Sequence, residues 1–170
     1  LYKVQKAVAA LPYLDRESDE ITNKNMRLGL GITGVTQGLE KLDWLSPAYE
    51  ALYNFDAFWS SYKEWPTSVR LTTVKPSGTL SLLAGVTPGV HPGYSTHHIR
   101  RVRMASTDPL LDYCEQRGYH VEWVENDNKT KVVEFPCQFP EGTIIADDMT
   151  AVEQLELQCR IQQEWADNAV

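Results

Sequence analysis

Apolar positions recur at helical spacing from the first residues. Leu1, Val4, Val8 and Leu11 share one face and the pattern stops at Pro12, which predicts a helix over residues 1–11. Residues 15–25 are polar and read as a loop; residues 26–32 read as a short strand and 33–42 as a helix. Pro47 suits the first turn of another helix, whose Leu52, Phe55, Trp59 and Tyr62 form an apolar stripe ending before Pro66. Residues 69–74 are rich in β-branched side chains and read as a strand. A turn at Pro76, Ser77, Gly78 and Thr79 follows, then a short apolar run over 80–84 and a Gly/Pro-punctuated loop over 85–93.

Residues 98–104 read as a strand with Ile99, Val102 and Met104 as its apolar members. Asp108 and Pro109 start a helix that runs to Arg117 and closes at Gly118. Residues 119–124 and 131–135 flank Asn126-Asp127-Asn128, the signature of a hairpin. Thr150 caps a last helix reaching about Trp165, with Val152, Leu155 and Cys159 on one stripe. Helices alternate with strands over the first two thirds, so the fold class is α/β. Neither Leu1 nor Val170 marks a natural boundary, and residues 1–170 read as one fragment incomplete at both ends, with a strand expected where the chain stops.

Composition narrows the class. In 170 residues, 42% are hydrophobic and 23% charged, which suits a soluble globular domain and argues against disorder. No run approaches the roughly 18 apolar residues a membrane helix needs. Cys114, Cys137 and Cys159 are odd in number and lack C-x-x-C spacing, which favours reduced, buried structural thiols in a cytoplasmic protein. The net charge of −7 conceals a basic block: no Asp or Glu lies between Glu64 and Asp108, where Arg70, Lys75, Arg100, Arg101 and Arg103 stand. A positive block in an acidic chain points to a local anionic ligand rather than to nucleic acid; the plainer reading is a solvated basic strand pair.

Two motifs compete for that anion. Gly29, Gly31 and Gly34 spell G-x-G-x-x-G, with Glu50 near the spacing of a ribose-binding acid. The buried apolar strand required ahead of the first glycine is missing, so Gly29 and Gly31 read instead as strand glycines that admit a close neighbour. Lys75-Pro76-Ser77-Gly78-Thr79-Leu80-Ser81 is better placed, joining a strand to a helical run inside the acid-free block. Its hydroxyls, its glycine and the free N–H groups at a helix start suit a phosphate, against the alternative of an ordinary capped turn. His91, His97, His98 and His120 form no metal set: His97 and His98 face opposite sides of a strand, and His91 reads as a loop hydrogen-bonder.

At this loop the sequence resembles a family. Residues 73–92, from Lys75-Pro76-Ser77-Gly78-Thr79 through Gly85-Val86-Thr87-Pro88-Gly89-Val90-His91-Pro92, are similar to the adenosylcobalamin-dependent (class II) ribonucleotide reductases, nearest the ribonucleoside-triphosphate subtype. Residues 25–34, 99–104 and 165–170 carry the same resemblance, which is looser over 108–160. It implies the second, C-terminal half of a ten-stranded α/β catalytic barrel. It implies that Ser77, Gly78, Thr79, Leu80 and Ser81 hold substrate phosphate, with Lys75, Pro76, Thr87, Pro88, Gly89 and His91 lining the active site. It also implies adenosylcobalamin as cofactor, a ribonucleoside tri- or diphosphate substrate and an external dithiol such as thioredoxin, with neither nucleic acid nor membrane as a partner. The family's Asn-Pro-Cys-Gly-Glu finger loop is missing; Cys137 is followed by Gln138-Phe139, so no catalytic residue is expected here. The rival readings are a class I (di-iron-radical) large subunit and a non-catalytic phosphate-binding module.

Overall fold

The computed structural model describes residues 1–169. Its elements are α1 (Tyr2–Ala9), α2 (Arg16–Asn25), β1 (Arg27–Ile32), α3 (Leu45–Lys63), β2 (Arg70–Val74), α4 (Leu80–Ala84) and β3 (His97–Ala105), then α5 (Leu110–Gln116), β4 (His120–Trp123), β5 (Thr130–Gln138), α6 (Ala151–Glu164) and β6 (Asn168–Ala169). They form two three-stranded sheets. β1, β2 and β6 are parallel with β2 central, whereas β3, β5 and β4 are antiparallel with β5 central.

Each sheet has its own core. Over the parallel sheet, Leu45, Val74, Leu157, Ile161 and Trp165 are buried, with Leu30 and Ile32 of β1 packed against them. Under the antiparallel sheet, Leu111, Cys114 and Val133 are buried against Met104, Val121 and Phe135. β2 is buried from Leu71 to Val74, as expected of a central parallel strand, and β3 alternates strictly between exposed and half-buried residues. Asp167 fastens the end of α6 to β2: one carboxylate oxygen accepts the Leu71 N–H at 2.7 Å and the other accepts the Tyr49 hydroxyl at 2.8 Å. Burial, then that carboxylate, push the Tyr49 hydroxyl up to about 12. β6 is the strand expected at the chain's end; Val170, which closes the resembling motif, lies outside the described residues.

Several expectations need correction. Residues 15–25 are not a loop, because Arg16–Asn25 is helical: Asp15 caps it by accepting the Ser18 N–H, and Arg16 pairs with Glu20 one turn on. That helix buries none of its residues, so it leaves no apolar period to find. The helix expected over 33–42 is two 3-10 segments, Val35–Gln37 and Leu39–Trp44, separated by Gly38 and preceded by Gly34 at φ +74°. The stripe of Val152, Leu155 and Cys159 on α6 faces outward; Leu157, Ile161 and Trp165 take the core, spaced four apart. On α3 the buried positions are Leu45, Asp56 and Ser60, while Phe55, Phe58, Trp59 and Tyr62 stack along a more exposed flank. All three thiols are free. Cys114 is buried as expected, but Cys137 is half-buried and Cys159 exposed.

Candidate phosphate-binding loop

The chain leaves the carboxyl end of β2 at Val74, turns through Lys75 to Thr79 and enters α4. In parallel sheets this end of a strand is where ligands collect, because the following helix presents its unpaired N–H groups there. Ser77 has φ +50°, a left-handed turn of the kind that fans successive N–H groups toward one point. The Ser81 N–H closes the turn on the Ser77 carbonyl at 3.0 Å, whereas the N–H groups of Gly78, Thr79 and Leu80 meet no carbonyl acceptor among the described residues. A Cβ built on Gly78 would meet nothing within 4 Å, so the space above it is open. Thr79 and Leu80 are exposed, Ser77 and Gly78 half-buried. Ser81, predicted alongside them, is turned inward with only 1% exposure, and its N–H is occupied.

The second loop, 85–93, is stitched to the turn after β1. Thr33 donates its hydroxyl to the Thr87 carbonyl at 2.9 Å and accepts the Gly89 N–H at 3.0 Å, and the Thr36 and Thr87 hydroxyls lie 2.8 Å apart. Thr87 and Gly89 are buried, so they position the loops rather than face solvent. Gly89 is held at φ +55°, and a Cβ there would lie 2.3 Å from the Lys75 carbonyl oxygen. Pro76 is exposed, Pro88 half-buried, and His91 exposed with its Nδ1 2.7 Å from the Gln154 amide, which bears out the loop hydrogen-bonder.

The same contacts remove the dinucleotide reading. Gly34 donates its N–H to Thr87 and Val35 donates to Gly89, so donors that a pyrophosphate would need are taken. Gly29 and Gly31 lie within β1 because Thr73 and Lys75 cross them: a Cβ on Gly31 would come within 3.2 Å of Lys75 Cδ. Among the described residues no three His, Cys, Asp or Glu gather to hold a metal ion.

The basic block divides by strand alternation. Arg101, on the outward face of β3, is neutralised by Glu122 and Glu134, and Arg70 approaches Asp167 at 3.7 Å. Arg100 faces the other way and donates from Nη2 to the Gly78 carbonyl at 2.9 Å. Neither Arg100 nor Lys75 has a carboxylate within 4 Å among the described residues. Arg100 also lines an apolar cavity of about 360 Å³ with Val86, His98, Phe135, Cys137 and Phe139. Sequence reasoning placed Arg100 in the basic block without linking it to the loop; the period-2 alternation of β3 was the available signal.

No protein-family model matches the chain. It is 42% identical over 172 residues to an adenosylcobalamin-dependent ribonucleoside-triphosphate reductase of Euglena gracilis, covering 97% of this chain and 24% of that protein. A probable enzyme of the same name from Dictyostelium discoideum is 36% identical, over 91% of this chain and 21% of its own length. A crystal structure of a B12-dependent (class II) ribonucleotide reductase superposes with a TM-score of 0.81 at 29% identity, over 97% of this chain and 28% of the other. The chain thus spans about a quarter of the length of the proteins it matches. Sequence and fold together place it in the family of adenosylcobalamin-dependent (class II) ribonucleotide reductases.

Proposed function

We propose that this chain is the substrate-phosphate-binding part of a cytoplasmic enzyme that reduces ribonucleoside triphosphates to 2′-deoxyribonucleotides by cobalamin-initiated radical chemistry. The observation that carries the reading is the 77–80 turn at the carboxyl end of β2, with open N–H groups, exposed hydroxyl chemistry at Thr79 and no acidic residue in its block. Ser77 and Thr79 offer hydroxyl donors and Gly78 to Leu80 offer backbone N–H groups. By holding the phosphates they orient the ribose and leave the chemistry to groups outside these residues. Ser81 serves from beneath, packing the turn against the body of the protein. The parallel sheet would be part of the ten-stranded barrel, and an external dithiol such as thioredoxin would return the enzyme to its reduced state. No described helix is long and apolar enough to cross a membrane. The alternatives, a class I large subunit and a non-catalytic module, find no support among the relatives.

The relatives are named for adenosylcobalamin, which in this reading is bound by the full-length enzyme. The family's finger-loop cysteine, on which that chemistry depends, is missing from these residues. No step is assigned to the cofactor. Accordingly, the 170-residue chain by itself is expected to reduce no ribonucleotide with or without adenosylcobalamin. Turnover by a preparation free of host reductase would contradict the reading.

In a full-length reductase carrying this chain, Thr79→Ala should cost about 1.5–3 kcal/mol of transition-state binding, the range for hydrogen bonds to a charged group. The loss should divide between KM and kcat, because the phosphate contacts also position the ribose. Gly78→Val should be worse, since its side chain would fill the space now open above the turn. Folding should survive both, as measured by thermal unfolding. A Ser77→Ala, Thr79→Ala double variant with unchanged kinetics would return the loop to an ordinary capped turn.

A further inference from the structure

We propose that Arg100 binds the terminal phosphate of a ribonucleoside triphosphate and so sets the preference for triphosphate over diphosphate; this rests on the phosphate-loop reading above. The turn's own donors are neutral N–H and hydroxyl groups. They hold the first two phosphates of a nucleotide in the same way whether or not a third is attached. Telling the two apart needs a fixed positive charge at the edge of the turn, where the additional phosphate brings its negative charge.

Arg100 is the cation that meets this description. It is half-buried, its Nη2 is 2.9 Å from the Gly78 carbonyl, and no carboxylate of the described residues lies within 4 Å of it. A guanidinium has five N–H donors in a rigid fork, so one bond to Gly78 leaves others for phosphate oxygens. A half-buried charge without a counterion is costly, and an arriving anion would relieve that cost. The other cations of the block stand elsewhere: Arg70 approaches Asp167 at 3.7 Å, and Arg103, two residues beyond Arg101, shares its exposed face of β3. Arg101 is neutralised by Glu122 and Glu134 on the opposite face of β3. The Lys75 side chain runs back over Gly29 and Gly31, with Nζ 3.8 Å from the Cβ position of Gly29, so its charge lies over the sheet and away from the turn.

The test uses a full-length reductase carrying this chain and reads apparent dissociation constants for a ribonucleoside triphosphate and its matching diphosphate. Arg100→Gln should weaken the triphosphate about 10- to 100-fold, the range of a charge-assisted hydrogen bond, and the diphosphate far less. Arg100→Lys, which keeps the charge without the fork, should fall between, and it guards against a variant that fails to fold. Arg101→Gln, on the other face, should leave both constants unchanged. Thr79→Ala should weaken both nucleotides by similar factors. If Thr79→Ala acts on both but Arg100→Gln leaves their ratio as it was, Arg100 only braces the Gly78 carbonyl and the proposal is overturned. If Thr79→Ala acts on neither, the phosphate-loop reading itself fails, and this assignment with it.

Discussion

Asp56→Ala should destabilise the packing of α1 on α3 by about 3–5 kcal/mol, the cost of leaving one charge of a buried pair alone. Lys6 is wholly buried, Asp56 is 3% exposed, and their charged atoms lie 2.8 Å apart. The carboxylate also accepts the Tyr2 hydroxyl and both the N–H and the hydroxyl of Ser68, so one group joins α1, α3 and the segment leading into β2. Removing it strands the Lys6 ammonium, whose other partner is Ser68 Oγ at 2.7 Å. A Lys6→Met, Asp56→Leu double variant should recover most of the loss, because an apolar pair leaves no buried charge. Burial pushes the Asp56 carboxyl up, but the bonds from Lys6, Tyr2 and Ser68 outweigh it and hold the group below the usual carboxylate range. Since the folded value is depressed, the contribution is complete above the ordinary Asp value of about 4 and is lost as pH falls through the folded value. Hydrogen exchange of α1 and α3 amides in the full-length protein, at neutral and acidic pH, reads both effects. Unchanged protection in Asp56→Ala would contradict them.

Gly89→Ala is expected to do the second largest damage, and to do it at the candidate site. The residue sits at φ +55°, where a side chain costs roughly 1–2 kcal/mol. Its Cβ would also stand 2.3 Å from the Lys75 carbonyl oxygen, a backbone atom that cannot move without moving the 75–79 turn. Relief of that clash must pull the 85–93 loop off Thr33 or push Lys75 and the candidate turn outward, with a further overpacking cost of about 1–3 kcal/mol. Nucleotide affinity should therefore fall although Gly89 itself is buried. Gly78→Ala is the contrasting control, because its Cβ meets nothing within 4 Å; it should leave thermal stability unchanged. Equal thermal stability and affinity in Gly89→Ala and the parent would show that the two loops are not coupled.

Much was legible from local chemistry. The turn at 75–79, the short helix after it, the 120–138 hairpin and the Thr150 cap all follow from residues close in sequence, and the structure has each of them. Other features were beyond the reach of pattern. Helix α2 is held by its cap and by the Arg16–Glu20 ion pair, and it offers no apolar stripe because it buries nothing. Thr33 and Thr36 looked like helix residues, yet their hydroxyls bond across more than fifty positions to Thr87 and thereby hold the chain in 3-10 turns. The exposed stripe on α6 has the spacing of a core face, and spacing alone cannot say which stripe a neighbour will cover.

By itself, then, the sequence determined the α/β class, the place of the candidate turn between a strand and a helix, and the kinship with class II reductases. Each of these is written in short runs of neighbouring residues. Tertiary structure alone decided that Ser81 points inward, that Thr87 and Gly89 are buried and bonded to the turn after β1, and that Arg100 donates to the Gly78 carbonyl. Those outcomes depend on which groups meet across the fold. The charge of Arg101 is cancelled by Glu122 and Glu134 from other strands, while Arg100, one residue earlier and facing the opposite way, has no counterion among the described residues and lies beside Gly78.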